Sequence, residues 1–318
     1  MEPHSESHHL LILSQHDETY EQLIQRAHLP GLSILAMQDP EEAIRQGDNY
    51  DILFGEPSLV SKVLNSLPNI KWVQTTWAGV DPLLATGMRR DYILTNARNV
   101  YGSMISEYVF GYLLMIERRI LSRWQAQIRG LWDDSPHGNL KGKLIGLLGV
   151  GTIGANLAKT ARCFGMRVRG YTRRSETCPD VERYYHGEEI LRFVAELDYL
   201  VCTLPGTKTT RGLVDAQLLS ALPDKAWLVN VGRGNVVNEA DLVDALNGGV
   251  IAGAVLDVFV EEPLPPGHPL WHTPNTFITC HSAARNYPPD IAQLFIENYA
   301  RWQQGKTLFH QVDFAEGY

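Results

Sequence analysis

The sequence has little of what marks several classes of protein. Its 318 residues contain only four cysteines, none spaced as C-x-x-C, which argues against zinc or redox motifs and fits a reducing, cytoplasmic environment. No apolar run has the length that a membrane span needs, and we expect no signal peptide. The net charge of −8 disfavours nucleic acid or an anionic membrane as the main partner. We expect no metal site, and we expect the histidine-rich residues 1–9 to be a frayed end.

A glycine-rich turn between a strand and a helix is the most informative stretch. An apolar run over 143–148 leads into G-x-G-x-x-G at 149–154, and residues 155–164 have helical spacing. In dinucleotide-binding turns the first glycine allows the tight turn, the second admits a pyrophosphate, and the third packs helix on strand. The helix N-terminus then faces the phosphates. An ordinary glycine-rich turn is the alternative. The residues expected to contact a dinucleotide here are Gly149, Gly151, Thr152, Ile153 and Gly154.

The choice of dinucleotide is suggested by the end of the next strand, 167–171. It leads into Thr172, Arg173 and Arg174. An NAD site usually places Asp or Glu about twenty residues past the glycines, where the acid bonds the ribose hydroxyls. Threonine stands there instead, and the guanidinium groups that follow can pair with a 2′-phosphate. The sequence therefore favours NADP(H), with NAD(H) possible and a solvated basic loop as the alternative reading of the arginines.

Strands alternate with helices along most of the chain. This alternation, over residues 10–95 and again from 143 onward, predicts an α/β protein with two doubly wound parallel sheets. Between them, residues 103–129 predict one long helix. Within it, we expect the Glu117-Arg118-Arg119 cluster to be a solvated face rather than a site. An amphipathic helix over 290–304 is expected to return to the first domain.

Three polar residues follow strands of the second predicted sheet: Arg233, Glu262 and His281. Residues at the carboxyl ends of parallel strands gather at one edge, where the glycine turn also lies. Arginine can bind a carboxylate through two parallel hydrogen bonds, and an imidazolium can donate a proton near neutral pH. A carboxylate beside the histidine would orient it and favour its charged form. Each residue alone is more often structural, but together they predict hydride transfer to a 2-keto acid.

The loop at 76–81 follows the fourth strand of the first predicted sheet. The small residues Ala78 and Gly79 would let backbone N–H groups approach a carboxylate. A plain strand-to-helix turn is the alternative.

Several motifs together resemble one family, the D-isomer-specific 2-hydroxyacid dehydrogenases, nearly from end to end. Within that family, the chain is most similar to the reductases of glyoxylate and hydroxypyruvate, on the Arg173-Arg174 pair and the segments 263–266, 311–313 and 317–318. The motifs that carry the family resemblance are 149–154, 230–234, 257–259, 262–264, 78–81, 139–143 and His281 with the alanines that follow it.

The resemblance implies a homodimer of chains with a split, flavodoxin-like substrate domain (1–99 and 287–318) and an inserted NAD(P)-binding Rossmann domain (100–286). It implies that Arg233 binds the substrate carboxylate and carbonyl, that His281 is the acid/base, and that Glu262 is its partner. It also implies that the NAD(P)H-dependent reaction reduces small 2-keto acids to D-2-hydroxy acids. The backbone of Ala78, Gly79 and Val80 would bind the carboxylate. Further expected cofactor contacts are Leu204, Pro205, Val231, Arg233, Asp257 and His281.

One position departs from the family pattern, and other readings stay open. Cys280 stands where the family usually has proline, and as a nucleophile it would lack a separate base. Other D-2-hydroxy acids, such as phosphoglycerate or lactate, are alternative substrates because pocket shape sets side-chain selectivity. A dinucleotide-sensing co-repressor is the alternative from another class, although the long tails or peptide-binding insert that would support it are not evident.

Overall fold

The computed structural model describes residues 7–47, 49–315 and 317. The chain forms two compact units, one of Met1–Val100 with Asn286–Tyr318 and one of Tyr101–Arg285. The division of roles between a substrate domain (1–99 and 287–318) and a cofactor domain (100–286) stays a prediction. Residues 1–6 and 318 lie outside the described residues. The expected frayed end is wrong for His8 and His9, which belong to a strand, and the ring of His8 is buried 2.7 Å from Asp51.

The first unit is built on a five-stranded parallel sheet. Its elements up to residue 95 are β1 (His8–Leu13), α1 (Asp17–Gln25), β2 (Leu32–Met37), α2 (Pro40–Arg45), β3 (Ile52–Gly55), α3 (Pro57–Val63), β4 (Trp72–Thr75), α4 (Asp81–Leu84) and β5 (Ile93–Thr95). The strand order is β2-β1-β3-β4-β5, the order of flavodoxin-like folds. Consecutive residues 10–13 of β1 are all fully buried, which shows that both faces of the sheet are covered.

The second unit is built on a seven-stranded parallel sheet. Its elements are α5 (Gly102–Glu117), α6 (Ile120–Ile128), β6 (Leu144–Leu148), α7 (Thr152–Cys163), β7 (Arg167–Tyr171), β8 (Arg183–Tyr185), α8 (Ile190–Val194), β9 (Tyr199–Cys202), α9 (Ala216–Ala221), β10 (Trp227–Asn230), α10 (Glu239–Asn247), β11 (Gly253–Leu256) and β12 (Thr276–Ile278). The strand order is β12-β11-β10-β9-β6-β7-β8. The chain leaves β6 in one direction and returns to its other side at β9, which makes the edge beyond β6 the switch point where such sheets bind ligands. The predicted α/β class with two doubly wound sheets is confirmed.

The last helix, α11 (Pro288–Gln303), belongs to the first unit. The ring of Phe295 stacks on Trp72 of β4 at 5.1 Å between ring centroids. The buried side chain of Asn298 donates to Gln74 Oε1 and to the carbonyl of Phe309. These contacts fasten the end of the chain to the sheet that its beginning forms.

The single helix predicted over 103–129 is wrong, because the structure breaks it into α5 and α6. Arg119 between them has a left-handed φ of 54°, which a helix cannot continue through. The expected solvated face is also wrong for Glu117, whose side chain is only 10% exposed. Its carboxylate pairs with Lys143 at 3.0 Å and accepts a hydrogen bond from Tyr199 at 2.5 Å. Glu117 therefore holds the end of α5 to the base of the sheet, whereas Arg118 and Arg119 are exposed as expected.

Two short elements, β8 and α8, have no counterpart in the sequence prediction. A three-residue strand that contains an arginine and two tyrosines offers no hydrophobic period to detect. β8 nevertheless pairs with β7, with Tyr171 opposite Tyr185. The strand therefore brings a loop of unpredicted residues next to the end of β7.

The described part of the chain has neither a membrane-spanning helix nor a cluster of metal ligands. Within residues 7–47, 49–315 and 317, no helix combines the length and apolar character that crossing a membrane requires. Within the same residues, no three His, Cys, Asp or Glu side chains are grouped so that they could hold a metal ion.

Candidate active site

The three glycines of the turn between β6 and α7 have three different surroundings. Gly149 has a φ of 105°, which favours glycine over residues with a side chain. A Cβ atom at Gly154 would collide with the carbonyl oxygen of Gly149, whereas a Cβ at Gly151 would meet no atom within 4 Å. Gly154 thus lets helix and strand pack closely, and Gly151 leaves open space at the N-terminus of α7. This arrangement fits a dinucleotide pyrophosphate, since α7 begins there without a side-chain cap on its N–H groups.

The turn beyond β7 carries the residues expected to choose between NADP and NAD. Thr172 is buried, and its hydroxyl donates to the carbonyl of Ser175 at 2.8 Å. Arg173 and Arg174 lie between these two residues and are exposed. The predicted residues therefore share one tight turn at the edge beyond β7. The sequence prediction missed His186, which follows the neighbouring strand β8 and whose ring contacts the carbonyl of Thr172.

Arg233 is placed by the glycines on either side of it. A Cβ atom at Gly232 would lie 2.7 Å from the carbonyl oxygen of Leu204, and one at Gly234 would overlap the carbonyl group of Phe259. Only glycines let the loop after β10 lie this close to the loops after β9 and β11. The half-buried Arg233 side chain donates from Nη1 to the carbonyl of Gly232 at 2.8 Å.

Asn230, the last residue of β10, holds this loop in shape. Its buried side chain donates to the carbonyl of Arg233 and accepts from the N–H of Gly232. Val231, one of the expected cofactor contacts, lies inside this clamp, and Leu204 and Pro205 lie on the adjacent loop after β9. The motif at 230–234 that resembles the family begins with Asn230, but the sequence assigned this residue no role.

The side chains of His281 and Glu262 form a direct pair. The Nδ1 atom of His281 lies 2.8 Å from Oε2 of Glu262, and the other carboxylate oxygen accepts the N–H of Phe259 at 2.9 Å. Both side chains remain partly exposed, at 41% for the histidine and 35% for the glutamate. The structure thus brings together two residues that are nineteen positions apart in sequence. Nδ1 is fixed by the carboxylate, so Nε2 is the ring nitrogen that can face a substrate.

The pair shifts both ionisation equilibria toward the charged forms. The hydrogen bond to Glu262 raises the pKa of His281 above its ordinary value of 6.5, against burial and the positive charge of Arg233. Burial opposes the ionisation of Glu262, but the hydrogen bonds from His281 and from the N–H of Phe259 outweigh it and lower the pKa of that carboxyl. The two directions agree, and they describe an imidazolium beside a carboxylate. Such a histidine can donate a proton near neutral pH.

Asp257 organises the loop that carries His281. Its buried carboxylate accepts hydrogen bonds from the hydroxyl of Thr279 at 2.5 Å and from the N–H groups of Ser282 and Ala283 at 2.8 and 2.9 Å. The N–H of His281 donates to the carbonyl of Asp257 at 2.8 Å, and the histidine has a left-handed φ of 52°. This conformation is uncommon for a residue other than glycine and is typical of residues constrained at functional sites. The cofactor contact expected from Asp257 stays a prediction.

Two residues that the sequence had not indicated, Thr279 and Tyr108, continue the hydrogen bonds of Asp257. Thr279 must donate to the carboxylate, because an ionised carboxylate only accepts. The Thr279 oxygen therefore accepts from the hydroxyl of Tyr108 on α5, which lies 2.6 Å away. Burial raises the pKa of Tyr108 well above its ordinary range, so this hydroxyl keeps its proton. The three residues thus form a relay of hydrogen bonds in which Tyr108 donates to Thr279 and Thr279 donates to Asp257.

The predicted carboxylate loop after β4 belongs to the first unit. The carbonyl of Trp77 accepts hydrogen bonds from the hydroxyl of Thr75 and the N–H of Ala97, and the carbonyl of Ala78 accepts from the side chain of Asn96 at 2.7 Å. In a trans peptide the N–H points opposite to the C=O. The N–H groups of Ala78 and Gly79 therefore point away from these partners. Their expected contact with a substrate stays a prediction.

The chain is similar to a known protein family, to curated proteins and to solved structures. The model of the D-isomer specific 2-hydroxyacid dehydrogenase, NAD binding domain, matches residues 110–283. Glyoxylate/hydroxypyruvate reductase A of Salmonella paratyphi B is 32% identical over 256 residues, which cover 78% of this chain and 82% of that protein.

Two crystal structures show the same architecture. A D-isomer specific 2-hydroxyacid dehydrogenase family protein from Aeromonas salmonicida is 40% identical, with a TM-score of 0.92 over 97% of this chain and 99% of that one. A D-isomer specific 2-hydroxyacid dehydrogenase from Xanthobacter autotrophicus Py2, solved in complex with NADPH and MES, is 33% identical, with a TM-score of 0.87 over 98% of this chain and all of that one.

Proposed function

We propose that this chain, which belongs to the D-isomer-specific 2-hydroxyacid dehydrogenase family, is an NADPH-dependent reductase of small 2-keto acids such as glyoxylate and hydroxypyruvate. The products would be the corresponding 2-hydroxy acids, of D configuration where the carbon is a stereocentre. The observation that carries the proposal is the hydrogen-bonded pair of His281 and Glu262, close enough to Arg233 for its charge to act on both. A proton donor and a carboxylate-binding cation are the two groups that keto-acid reduction requires of the protein.

Arg233 has the role of substrate binding. Its guanidinium can hold a carboxylate through two parallel hydrogen bonds, and it can stabilise negative charge on the adjacent carbonyl oxygen. It cannot give up a proton at neutral pH. The glycine on each side and the clamp from Asn230 fix its backbone, so binding does not require the loop to be ordered first.

His281 has the role of proton donor. When bound, the reduced nicotinamide supplies the hydride for the carbonyl carbon. Nε2 of His281 gives its proton to the carbonyl oxygen, which leaves a neutral imidazole that regains a proton from solvent. Glu262 fixes Nδ1 as a donor and favours the protonated ring before the reaction. In the oxidative direction, the neutral ring would accept the proton instead.

The cofactor would be held by residues of the second unit. The open space at Gly151 and the N-terminus of α7 suit the pyrophosphate, and Arg173 and Arg174 suit a 2′-phosphate. Thr172 adds no negative charge where an acid would repel that phosphate. The relative from Xanthobacter autotrophicus was solved with NADPH, which supports NADPH over NADH, with NADH as the weaker cofactor.

The remaining expectations become part of the same proposal. The first unit would serve as the substrate domain, and the N–H groups of residues 78–80 would bind the carboxylate. The second unit would serve as the cofactor domain, with contacts from Leu204, Pro205, Val231, Arg233, Asp257 and His281.

The second copy of a homodimer would cover α6. Ile120, Trp124 and Ile128 recur every fourth residue along this helix and are 53%, 55% and 65% exposed, so they form one apolar stripe. Trp132, just beyond it, is 94% exposed. Large apolar side chains that cluster at a surface mark interaction sites, and the family resemblance implies a second copy as the occupant. Sedimentation equilibrium should give twice the mass of the chain, and a monomer at every concentration would contradict the assignment.

A panel of 2-keto acids tests the proposed function. Purified protein is mixed with NADPH or NADH and with glyoxylate, hydroxypyruvate, pyruvate or phosphohydroxypyruvate, and cofactor oxidation is followed by absorbance. We expect the highest kcat/KM with glyoxylate or hydroxypyruvate and NADPH. Preference for pyruvate or the phosphorylated acid would identify a lactate or phosphoglycerate dehydrogenase. Dinucleotide binding without turnover of any acid would instead favour a sensor that acts as a co-repressor.

A further inference from the structure

His186 lies beside the turn that carries Arg173 and Arg174. It follows β8 directly, as Thr172 follows β7, and the two residues continue the register in which Tyr185 pairs with Tyr171. The Nδ1 atom of His186 lies 2.8 Å from the carbonyl oxygen of Thr172, and Nε2 lies 2.7 Å from Oε1 of Glu176. The ring therefore bridges Thr172, at the start of the turn formed by residues 172–178, and Glu176 within it.

The two closer partners of this ring, the Thr172 carbonyl and the Glu176 carboxylate, accept hydrogen bonds and cannot donate them. The Thr172 hydroxyl, 3.3 Å from Nδ1, gives its proton to the carbonyl of Ser175 and offers none to the ring. A carbonyl oxygen and an ionised carboxylate each require an N–H on the facing nitrogen, and only the imidazolium carries both. The geometry thus selects the cationic form of His186. The hydrogen bonds to Glu176 and then to the Thr172 carbonyl raise the pKa of His186 above its ordinary value, and the negative charge of Glu189 adds to this.

The charges around His186 come from its own segment and from the turn. Glu189 accepts the backbone N–H of His186 at 3.3 Å and lies 3.7 Å from Arg192. Glu176 is 59% exposed, so solvent weakens its pairing with the histidine. Arg173 and Arg174 stand between Thr172 and Glu176 in sequence. Without the imidazolium, the carboxylate of Glu176 would be an uncompensated negative charge two residues from Arg174 along the chain.

The far end of the turn is fixed by the same strand. The hydroxyl of Tyr184 on β8 accepts the N–H of Cys178 at 2.9 Å and donates to its carbonyl at 3.1 Å. Residues 172–178 are thus held at both ends by side chains of β8 and the residue after it. Of these two attachments, only the one made by His186 depends on the protonation of a side chain.

We propose that His186 is a positioning residue for cofactor choice, and that its protonated form favours NADPH over NADH by holding Glu176 and cancelling its charge beside Arg173 and Arg174. The inference rests on the proposed placement of the 2′-phosphate at these arginines. Loss of the His186 proton removes the positive charge that compensates the Glu176 carboxylate, so the negative charge of Glu176 then disfavours that phosphate. NADH carries a hydroxyl at the same position and is insensitive to the change.

Binding of the cofactor alone, without keto acid, tests the inference apart from catalysis. The dissociation constants of NADPH and NADH are measured by the fluorescence of the bound cofactor from about pH 7 to about pH 9, above the phosphate pKa of about 6, so the phosphate keeps its full charge. We expect the NADPH constant to rise about three- to fivefold across this range, the effect of one partly exposed charge. The NADH constant should stay level. Equal slopes for the two cofactors, or no slope for either, would overturn the inference.

Variants separate the charge from the fold of the turn. His186→Asn should weaken NADPH binding at neutral pH to the level of the alkaline wild type and remove its pH dependence. Glu176→Gln should bind NADPH tightly at every pH, and adding it to His186→Asn should restore the affinity. His272→Asn, in the segment between β11 and β12 at the opposite edge of the sheet, is the matched control and should behave as wild type. Unchanged NADH binding reports that each variant is folded.

The same measurements keep the inference distinct from the proposed function. If the protein binds neither cofactor, or if NADPH is never preferred, the proposed function fails first. If NADPH is preferred at neutral pH but Glu176→Gln does not rescue His186→Asn, only the role of His186 is wrong.

Discussion

His281 Nδ1 lies 2.8 Å from Glu262 Oε2, and this contact sets the protonation of the candidate catalytic histidine. The pKa of His281 is raised above 6.5 mainly by that hydrogen bond. Because reduction needs the protonated ring and oxidation the neutral one, the reduction rate should fall as pH rises through the raised pKa. The oxidation rate should rise over the same interval.

Glu262→Gln should move the pH profile of reduction to lower pH. The amide keeps the size of the side chain but removes the charge that favours the imidazolium. The measurement is kcat/KM for glyoxylate across pH, with Glu261→Gln, at the exposed neighbouring residue, as the control. A profile that coincides with wild type would show that Glu262 does not govern the proton of His281.

His281→Ala should reduce the turnover rate by about 10²–10⁴-fold, the usual contribution of general acid catalysis. The affinity for NADPH should change little, because the glycine turn and the arginines would bind it independently. Steady-state kinetics and cofactor fluorescence measure the two effects, and His272→Ala serves as a control histidine. Turnover close to wild type in the His281 variant would rule out its role as proton donor.

Arg233→Lys should raise KM for the keto acid and lower kcat/KM by about 10- to 100-fold, the effect of losing a charged hydrogen bond of about 1.5–3 kcal/mol. Lysine keeps the positive charge but lacks the planar pair of donors. Kinetics with glyoxylate check the prediction, and the cofactor dissociation constant should change far less than KM, because Arg233 is only one of several expected cofactor contacts. If KM is unchanged, the substrate carboxylate binds elsewhere.

Replacing Arg173 and Arg174 together with alanine should weaken NADPH binding by about 1–3 kcal/mol, the worth of charged hydrogen bonds to the phosphate. NADH binding should change far less, since it has no phosphate to lose contact with. Fluorescence titration of the double variant with each cofactor gives both numbers. Equal losses for NADPH and NADH would assign the arginines a different task.

Thr279→Val should destabilise the fold by about 1–3 kcal/mol, because it leaves the Tyr108 hydroxyl and the Asp257 carboxylate each short of a hydrogen bond. Valine has the shape of threonine without its hydroxyl. Thr279→Ser retains the hydroxyl and is the matched control. Urea denaturation measures the free energy of unfolding, and kcat reports whether the loop that carries His281 stays in place. Equal stability of the valine and serine variants would exclude the relay from Tyr108.

The sequence pattern alone predicted the α/β class, the glycine turn and the position of the paired arginines. These features depend on local chemistry: apolar strands buried on both faces, a turn that requires a positive φ at Gly149, and strand ends that parallel pairing brings to one edge. Residues 233, 262 and 281 could be proposed as the catalytic group because a parallel sheet brings the residues at its strand ends to one edge. The pairing of His281 with Glu262 could be expected from the convergence of strand ends and from the family resemblance, but its geometry could not.

Only the tertiary structure decided how these residues are held. The break between α5 and α6 depends on the left-handed Arg119 and on a Glu117 carboxylate that meets Lys143 and Tyr199 from distant segments. β8 has only three residues and no alternation of apolar and polar residues. The hydrophobic pattern of the sequence therefore could not predict the contact of His186 with Thr172. The relay from Tyr108 to Asp257 joins a helix to a loop 171 residues further along the chain. Hydrogen bonds between such distant residues follow from packing in three dimensions, which no local periodicity encodes.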